Sequence, residues 1–245
     1  MNLFFVTAAL ILLICSVMTY FYSFRLSGLP GPRLKVFLLY AVITAASAVA
    51  VRLFQAENPD HLAGGAMLKF CASLPSVLYA LRGYQLRKTK FGFFVLLAII
   101  LGMVADVSIN LSFLAGGAFF LVGHLLYDFA FLSVSKPSKK QIVLWLILTA
   151  LMIIPLYIFR AKIGSPAYAA VGLVYISILI STVVFSWSLD KMIFAAAAIF
   201  AVSDCFMVIN ILTGGSTLMK ILALLVYYGS LLLYGAVLWK QNIYR

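Results

Sequence analysis

Polar residues interrupt this chain at short intervals, and the stretches between them are almost wholly apolar. The stretches are residues 3–24, 35–55, 64–84, 91–110, 115–134, 141–160, 167–188, 192–212 and 218–239. Each is close to the roughly 20 residues that a helix needs to cross the hydrocarbon layer of a membrane. The pattern therefore predicts an all-α fold, a polytopic transmembrane helix bundle of about nine spans. Breakers mark the joints: Gly28, Pro30, Gly31 and Pro32, then Asn58 and Pro59, Lys136 and Pro137, Gly164 to Pro166, and Gly214 with Gly215. Pro75 and Pro155 fall inside spans and are expected to kink them, which packed membrane helices tolerate. No span is divided by a long polar segment and no internal repeat stands out. Residues 1–245 thus read as a single transmembrane domain.

Composition strengthens this reading. The chain is 65% hydrophobic and 10% charged, with a mean hydropathy of +1.15, whereas a soluble domain is about half apolar and a quarter charged. The net charge of +12 raises the question of nucleic acid, but the Lys and Arg residues lie between apolar runs and form no basic stripe. Such placement orients membrane proteins, and no nucleic-acid partner is expected. With nine spans and the N-terminus outside, one face collects Arg25, Arg33, Lys35, Arg82, Arg87, Lys88, Lys90, Lys136, Lys139, Lys140, Lys191, Lys240 and Arg245. The other receives Arg52, Lys69, Arg160, Lys162 and Lys220. The bias predicts the N-terminus out and the C-terminus in, and points to a bacterial cytoplasmic membrane. The first stretch lacks a basic leader and a cleavage signal, so it reads as a retained helix. Cys15, Cys71 and Cys205 lie far apart in apolar runs and read as packing residues.

Within these runs a few polar residues stand out. Glu57, Asp60 and Asp190 fall in loops or at a helix boundary. Asp106 and Asp204 have apolar residues on both sides (MVADVSI and FAVSDCFMV) and no basic residue within a helical turn. An ionisable group inside a membrane span is costly and faces the bundle interior or a wet cavity. At 1.5 Å per residue, Asp106 lies roughly 6 Å and Asp204 roughly 12 Å below the outer boundary. His124 is level with Asp204, and Lys69 with Asp106. His124, Tyr127 and Asp128 share one helix face at i, i+3 and i+4, as Asp106 and Asn110 share another. Tyr227 and Tyr228 enter the last span at comparable depth. Asp106, Asp204, His124, Lys69, Tyr227 and Tyr228 are at depths that let them share one cavity in the outer half of the bundle.

Two carboxyls in such a site can divide the work of acid and base, which suits hydrolysis through an oxocarbenium-like state. A purely structural hydrogen-bond network between helices is the competing reading. Zinc chemistry needs more ligands than the chain offers, since only His124 lies in a span and His61 sits in a loop. No metal and no cofactor are expected.

The stretch ADVSINL followed by GGAFFLVGHLLYDFAF resembles the YhhN-like family, which includes the mammalian lysoplasmalogenases. Gly116, Phe120, His124 and Tyr127 match that family's Gly-x-x-x-Phe-x-x-x-His-x-x-Tyr helix. Ser203 and Asp204 match its Ser-Asp helix, Tyr227 and Tyr228 its final Tyr-Tyr helix, and LKFCASLPS around Lys69 is similar to its Lys-Pro-Leu segment. Ala105 stands where the family has Gly, Cys71 where it has Leu, and Leu231 where it has Gln. The likeness covers residues 64–240 as a family-like core, with 3–24 as an extra N-terminal helix beyond the usual eight.

The resemblance implies an integral membrane hydrolase that cleaves the vinyl ether bond of lysoplasmalogen-type lysophospholipids and releases a fatty aldehyde. It implies Asp106 and Asp204 as the acid/base pair. His124, Tyr127, Lys69, Asn110, Ser203, Tyr227 and Tyr228 would be supporting residues, and the partners a lysophospholipid substrate and membrane lipids. A proton-coupled transporter and a non-catalytic lipid-binding relative are the alternatives.

Overall fold

A computed structural model of the chain describes residues 3–26, 32–58, 60–160, 166–214 and 216–240. The breakers Gly28, Pro30, Gly31, Pro59, Gly164 and Gly215, and the basic residues Lys162 and Arg245, lie outside the described residues. The helices are α1 (Leu3–Leu26), α2 (Pro32–Glu57), α3 (Leu62–Gln85), α4 (Lys90–Ser108), α5 (Phe113–Leu132), α6 (Lys139–Leu151), α7 (Ile153–Ile158), α8 (Pro166–Ser186), α9 (Lys191–Thr213) and α10 (Thr217–Val237). Because α6 and α7 run on as one apolar span, nine described helices are long and apolar enough to cross a membrane. The expected all-helical bundle is present, and each sequence-derived span falls on a helix with its ends shifted by a turn or less.

Local chemistry sets the helix ends. Thr89, Ser112, Ser138 and Ser216 each accept a backbone N–H of the first turn of α4, α5, α6 and α10. That bond satisfies a donor which a helix cannot pair internally. Helix α9 stops at Gly214, whose φ of 68° is the left-handed geometry that glycine adopts at little cost. Pro155 explains the break between α6 and α7. Its ring clashes with the carbonyl four residues earlier, at Leu151, which is where α6 ends. Pro75, by contrast, lies within an uninterrupted α3.

Two helices form the centre. Helix α3 packs on α1, α2, α4 and α10, and α10 packs on α2, α3, α4 and α9. The span of α3 is 67% buried, against 6% for Lys139–Ile158, which lies at the periphery against α8. Small residues along α3, among them Ala72, Ser73, Ser76 and Ala80, are buried there. They allow the close approach on which helix association in a membrane depends. Helix α1 docks on α2 and α3. The α4–α5 hairpin is a tight backbone joint: a side chain at Gly116 would come within 2.5 Å of Ile109 Cβ and 2.7 Å of its Cα. Only glycine lets the start of α5 fold back on the end of α4, and that fold sets Asp106 and His124 on adjoining helices.

Candidate functional site

Asp106 sits in the last turn of α4, 3% exposed. The Ser73 hydroxyl of α3 donates to its Oδ2 at 2.5 Å, with the Lys69 carbonyl at 3.1 Å as the other acceptor within reach of that one proton. The hydroxyls of Tyr227 and Tyr228 on α10 lie beside the same carboxyl. Tyr227 donates to the Gly102 carbonyl at 3.4 Å, while the Tyr228 hydroxyl is buried without a hydrogen bond. Lys69 stands one turn before Ser73 on α3, buried, and close enough to interact with the Asp106 charge. Asn110 donates to the Asp106 carbonyl at 3.0 Å and accepts from Gln55 of α2 at 3.3 Å. Residues of α3 and α10 thus surround the carboxyl, while Asn110 ties the backbone of the same residue to α2.

Asp204 belongs to a second centre. It lies on α9, half-buried, and accepts the Tyr175 hydroxyl of α8 at 2.5 Å. Its neighbour Ser203 turns the other way and donates to the Ala223 carbonyl of α10 at 2.9 Å, tying α9 to α10. Helix α4 packs on α3, α5 and α10, and α9 on α8 and α10. The two carboxyls are accordingly joined through intermediaries. From Asp106 the path runs to Tyr227, whose ring meets Phe200 edge-on at 5.2 Å. Phe200 meets His124 at 4.5 Å, His124 meets Tyr175 at 5.9 Å, and Tyr175 holds Asp204.

His124 is 2% exposed, and neither ring nitrogen has a hydrogen-bond partner. It borders a cavity of about 10 Å³ together with Gly102, Phe120, Tyr127, Phe200 and Leu231. That volume suits about one water molecule; Tyr127 also lines it, and its hydroxyl is buried and unbonded. One turn further along α5, Asp128 is 7% exposed and accepts from Ser181 of α8 through Oδ2, while its Oδ1 is buried without a partner. The Tyr127 ring stacks on Tyr234 of α10 at 4.0 Å. His61 caps α3, accepting from Gly64 N at 3.1 Å.

Residues 66–236, from α3 to the end of α10, match the family model of the YhhN family. The chain belongs to the YhhN family. No curated protein matches it, and no solved structure does. In this YhhN protein the matched stretch holds Lys69, Asp106, Asn110, His124, Tyr127, Ser203, Asp204, Tyr227 and Tyr228, whereas α1 and α2 lie outside it.

The structure also brings in residues that sequence reasoning passed over. Ser73 and Tyr175, the direct hydroxyl partners of the two carboxyls, look like ordinary serine and tyrosine in an apolar run. Phe200, between His124 and Tyr227, looks like any packing residue. Arg52 of α2 reads from sequence as a topology-setting charge, yet it interacts electrostatically with Asp106 and Lys69. Its position five residues before the end of a long helix was the one available signal.

Proposed function

We propose that this integral membrane protein is a hydrolase of the vinyl ether bond of lysoplasmalogen-type lysophospholipids, with Asp106 and Asp204 as its acid and base. The observation that carries the reading is the setting of Asp106. It is a carboxyl inside the bundle, held by Ser73, flanked by two tyrosines and opposed by a lysine, in the stretch that matches the YhhN family. The family resemblance supplies the substrate class.

Vinyl ether cleavage suits such a site because no strong nucleophile is needed. One carboxylic acid donates a proton to the alkene carbon remote from oxygen, leaving an oxocarbenium ion. Water adds to the cation while the other carboxylate takes its proton. The resulting hemiacetal breaks its C–O bond as the protonated base gives its proton to the glycerol oxygen and the first carboxylate takes the hemiacetal hydroxyl proton, and a fatty aldehyde departs. One water is consumed and both carboxyls return to their starting states. The water-sized cavity beside His124 and Tyr127 is where the attacking water is proposed to sit. The alkenyl chain then enters by moving the ring edges of Phe120 and Phe200 aside. Tyr175 and Ser73 act as positioning residues for the two carboxyls, and Asn110 for the Asp106 backbone. The test is aldehyde release by purified protein from lysoplasmalogen, set against the 1-acyl lysolipid of the same head group. Release from the vinyl ether alone supports the reading, and its absence refutes it.

A second reading rests on a separate observation. The unbonded buried groups continue past the cavity, from His124 and Tyr127 to Asp128 Oδ1 and the Tyr234 hydroxyl. A line of polar groups through a bundle also fits a proton-coupled carrier. Solute uptake into proteoliposomes that follows an imposed proton gradient would favour it over hydrolysis.

A further inference from the structure

Arg52 lies on α2, outside the family-matched stretch, and is held against the Asp106 site by a chain of hydrogen bonds. Its Nη1 donates to Gln55 Oε1 at 2.8 Å, Gln55 Nε2 donates to Asn110 Oδ1 at 3.3 Å, and Asn110 Nδ2 donates to the Asp106 carbonyl at 3.0 Å. Gly65 of α3 makes room for this chain, since a side chain there would press to 3.3 Å from Gln55 Nε2. One guanidinium nitrogen is thereby tied to the end of α2. Its Nε is buried with no hydrogen-bond partner.

Lys69 lies on α3 one turn before Ser73, the serine bonded to Asp106. It is 6% exposed, no ion pair closes between it and Asp106, and it interacts electrostatically with both Asp106 and Arg52. Two cations thus stand against one carboxylate, and with all three ionised the cluster carries a formal charge of +1. Like charges are held together inside a membrane protein at a cost that an anion would relieve. Arginine with unused donors, next to a lysine, is a pairing that suits a phosphate oxygen. Depth agrees with this. Helix α2 has 26 residues, about 39 Å of helix against roughly 30 Å of hydrocarbon. A residue five positions from its end consequently falls near the boundary between acyl chains and head groups.

We propose that Arg52 and Lys69 form a subsite for a singly charged phosphodiester, the head-group phosphate of a lysophospholipid, which places the glycerol side of the lipid next to Asp106. The subsite rests on the hydrolase reading for the orientation of the lipid, but its binding does not depend on the reaction. The probe is therefore radiolabelled 1-palmitoyl lysophosphatidylethanolamine, which has no vinyl ether. Binding to the full-length protein is measured in detergent, with 1-palmitoylglycerol as the lipid lacking phosphate.

The expected result is that R52Q weakens lysophospholipid binding by about tenfold or more, leaves 1-palmitoylglycerol unchanged, and that R52K recovers part of the preference. Unchanged lysophospholipid binding in R52Q overturns the proposal. If R52Q binds neither lipid, R52K decides: a retained preference for the phosphate-bearing lipid supports the subsite, and a lost preference overturns it. Inorganic phosphate is the third arm, and competition by it as effective as that of the lysolipid overturns the head-group assignment in favour of a free anion. Intact lysophospholipid binding without any aldehyde release from lysoplasmalogen would remove the hydrolase and leave the subsite standing.

Discussion

Tyr175 donates its hydroxyl to Asp204 at 2.5 Å while its ring stands edge-on to His124 at 5.9 Å. One tyrosine on α8 therefore fixes a carboxyl of α9 and touches the histidine of α5. Removing the hydroxyl leaves the ring contacts in place and takes away a hydrogen bond to a carboxyl. For Y175F the expected outcome is a stability loss of about 1 kcal/mol, with kcat for aldehyde release down about tenfold or more and KM nearly constant. Thermal denaturation in detergent and steady-state kinetics check the two halves. A change confined to KM would count against a role on Asp204.

The hairpin that sets Asp106 beside α5 makes a purely structural prediction. In G116A the new methyl would meet Ile109 backbone atoms at 2.7 and 2.9 Å, and backbone cannot swing away. A destabilisation of about 1–3 kcal/mol follows. At Gly117, one residue on, an added methyl would find nothing within 4 Å, so G117A is expected to be neutral or slightly stabilising. Paired melting curves of the two variants make the comparison, and equal midpoints would refute the tight joint.

At the opposite end of the bundle, beyond the spans, Lys240 pairs with Asp190 at 2.8 and 3.0 Å. Partial burial pushes the Asp190 carboxyl up, but the Lys240 ammonium and the Met192 N–H outweigh it and hold the group below the usual carboxylate value. A depressed folded value means the stabilisation is present above the unfolded carboxyl's pKa of about 3.9 and is lost as pH falls through the lower folded one. Lys240 is 37% exposed, so solvent screening keeps the pair to at most about 1 kcal/mol. D190N is expected to melt slightly below wild type at pH 7, with the gap closing in strong acid. A gap that widens in acid would reverse the sign assigned here.

Much of this architecture is legible in the sequence. Span length follows from membrane thickness, and an Asp or His in a run of leucines is conspicuous, so the spans, Asp106, His124 and Asp204 stand out from the residue pattern alone. Their surroundings do not. Rotation of each helix about its axis is decided by packing against several neighbours at once. Nothing in the local sequence therefore says that Ser203 turns to the Ala223 carbonyl while Asp204 turns to Tyr175. Depth alone let Asp106, Asp204, His124, Lys69, Tyr227 and Tyr228 share one cavity; in the structure Asp106 and Asp204 have separate hydroxyl partners, with Tyr227, Phe200 and His124 between them. Arg52 was hidden for another reason. A basic residue near a helix end already has an explanation in topology, and only its contact with Gln55 reveals a second use.

The central claim is that both carboxyls act in vinyl ether hydrolysis, and the most direct measurement is fatty aldehyde released from lysoplasmalogen by purified wild type, D106N and D204N. The expected result is release by the wild type and a fall of about 100-fold or more in each variant, with melting curves showing both still folded. Full activity in either folded variant, or no aldehyde from the wild type, would contradict it.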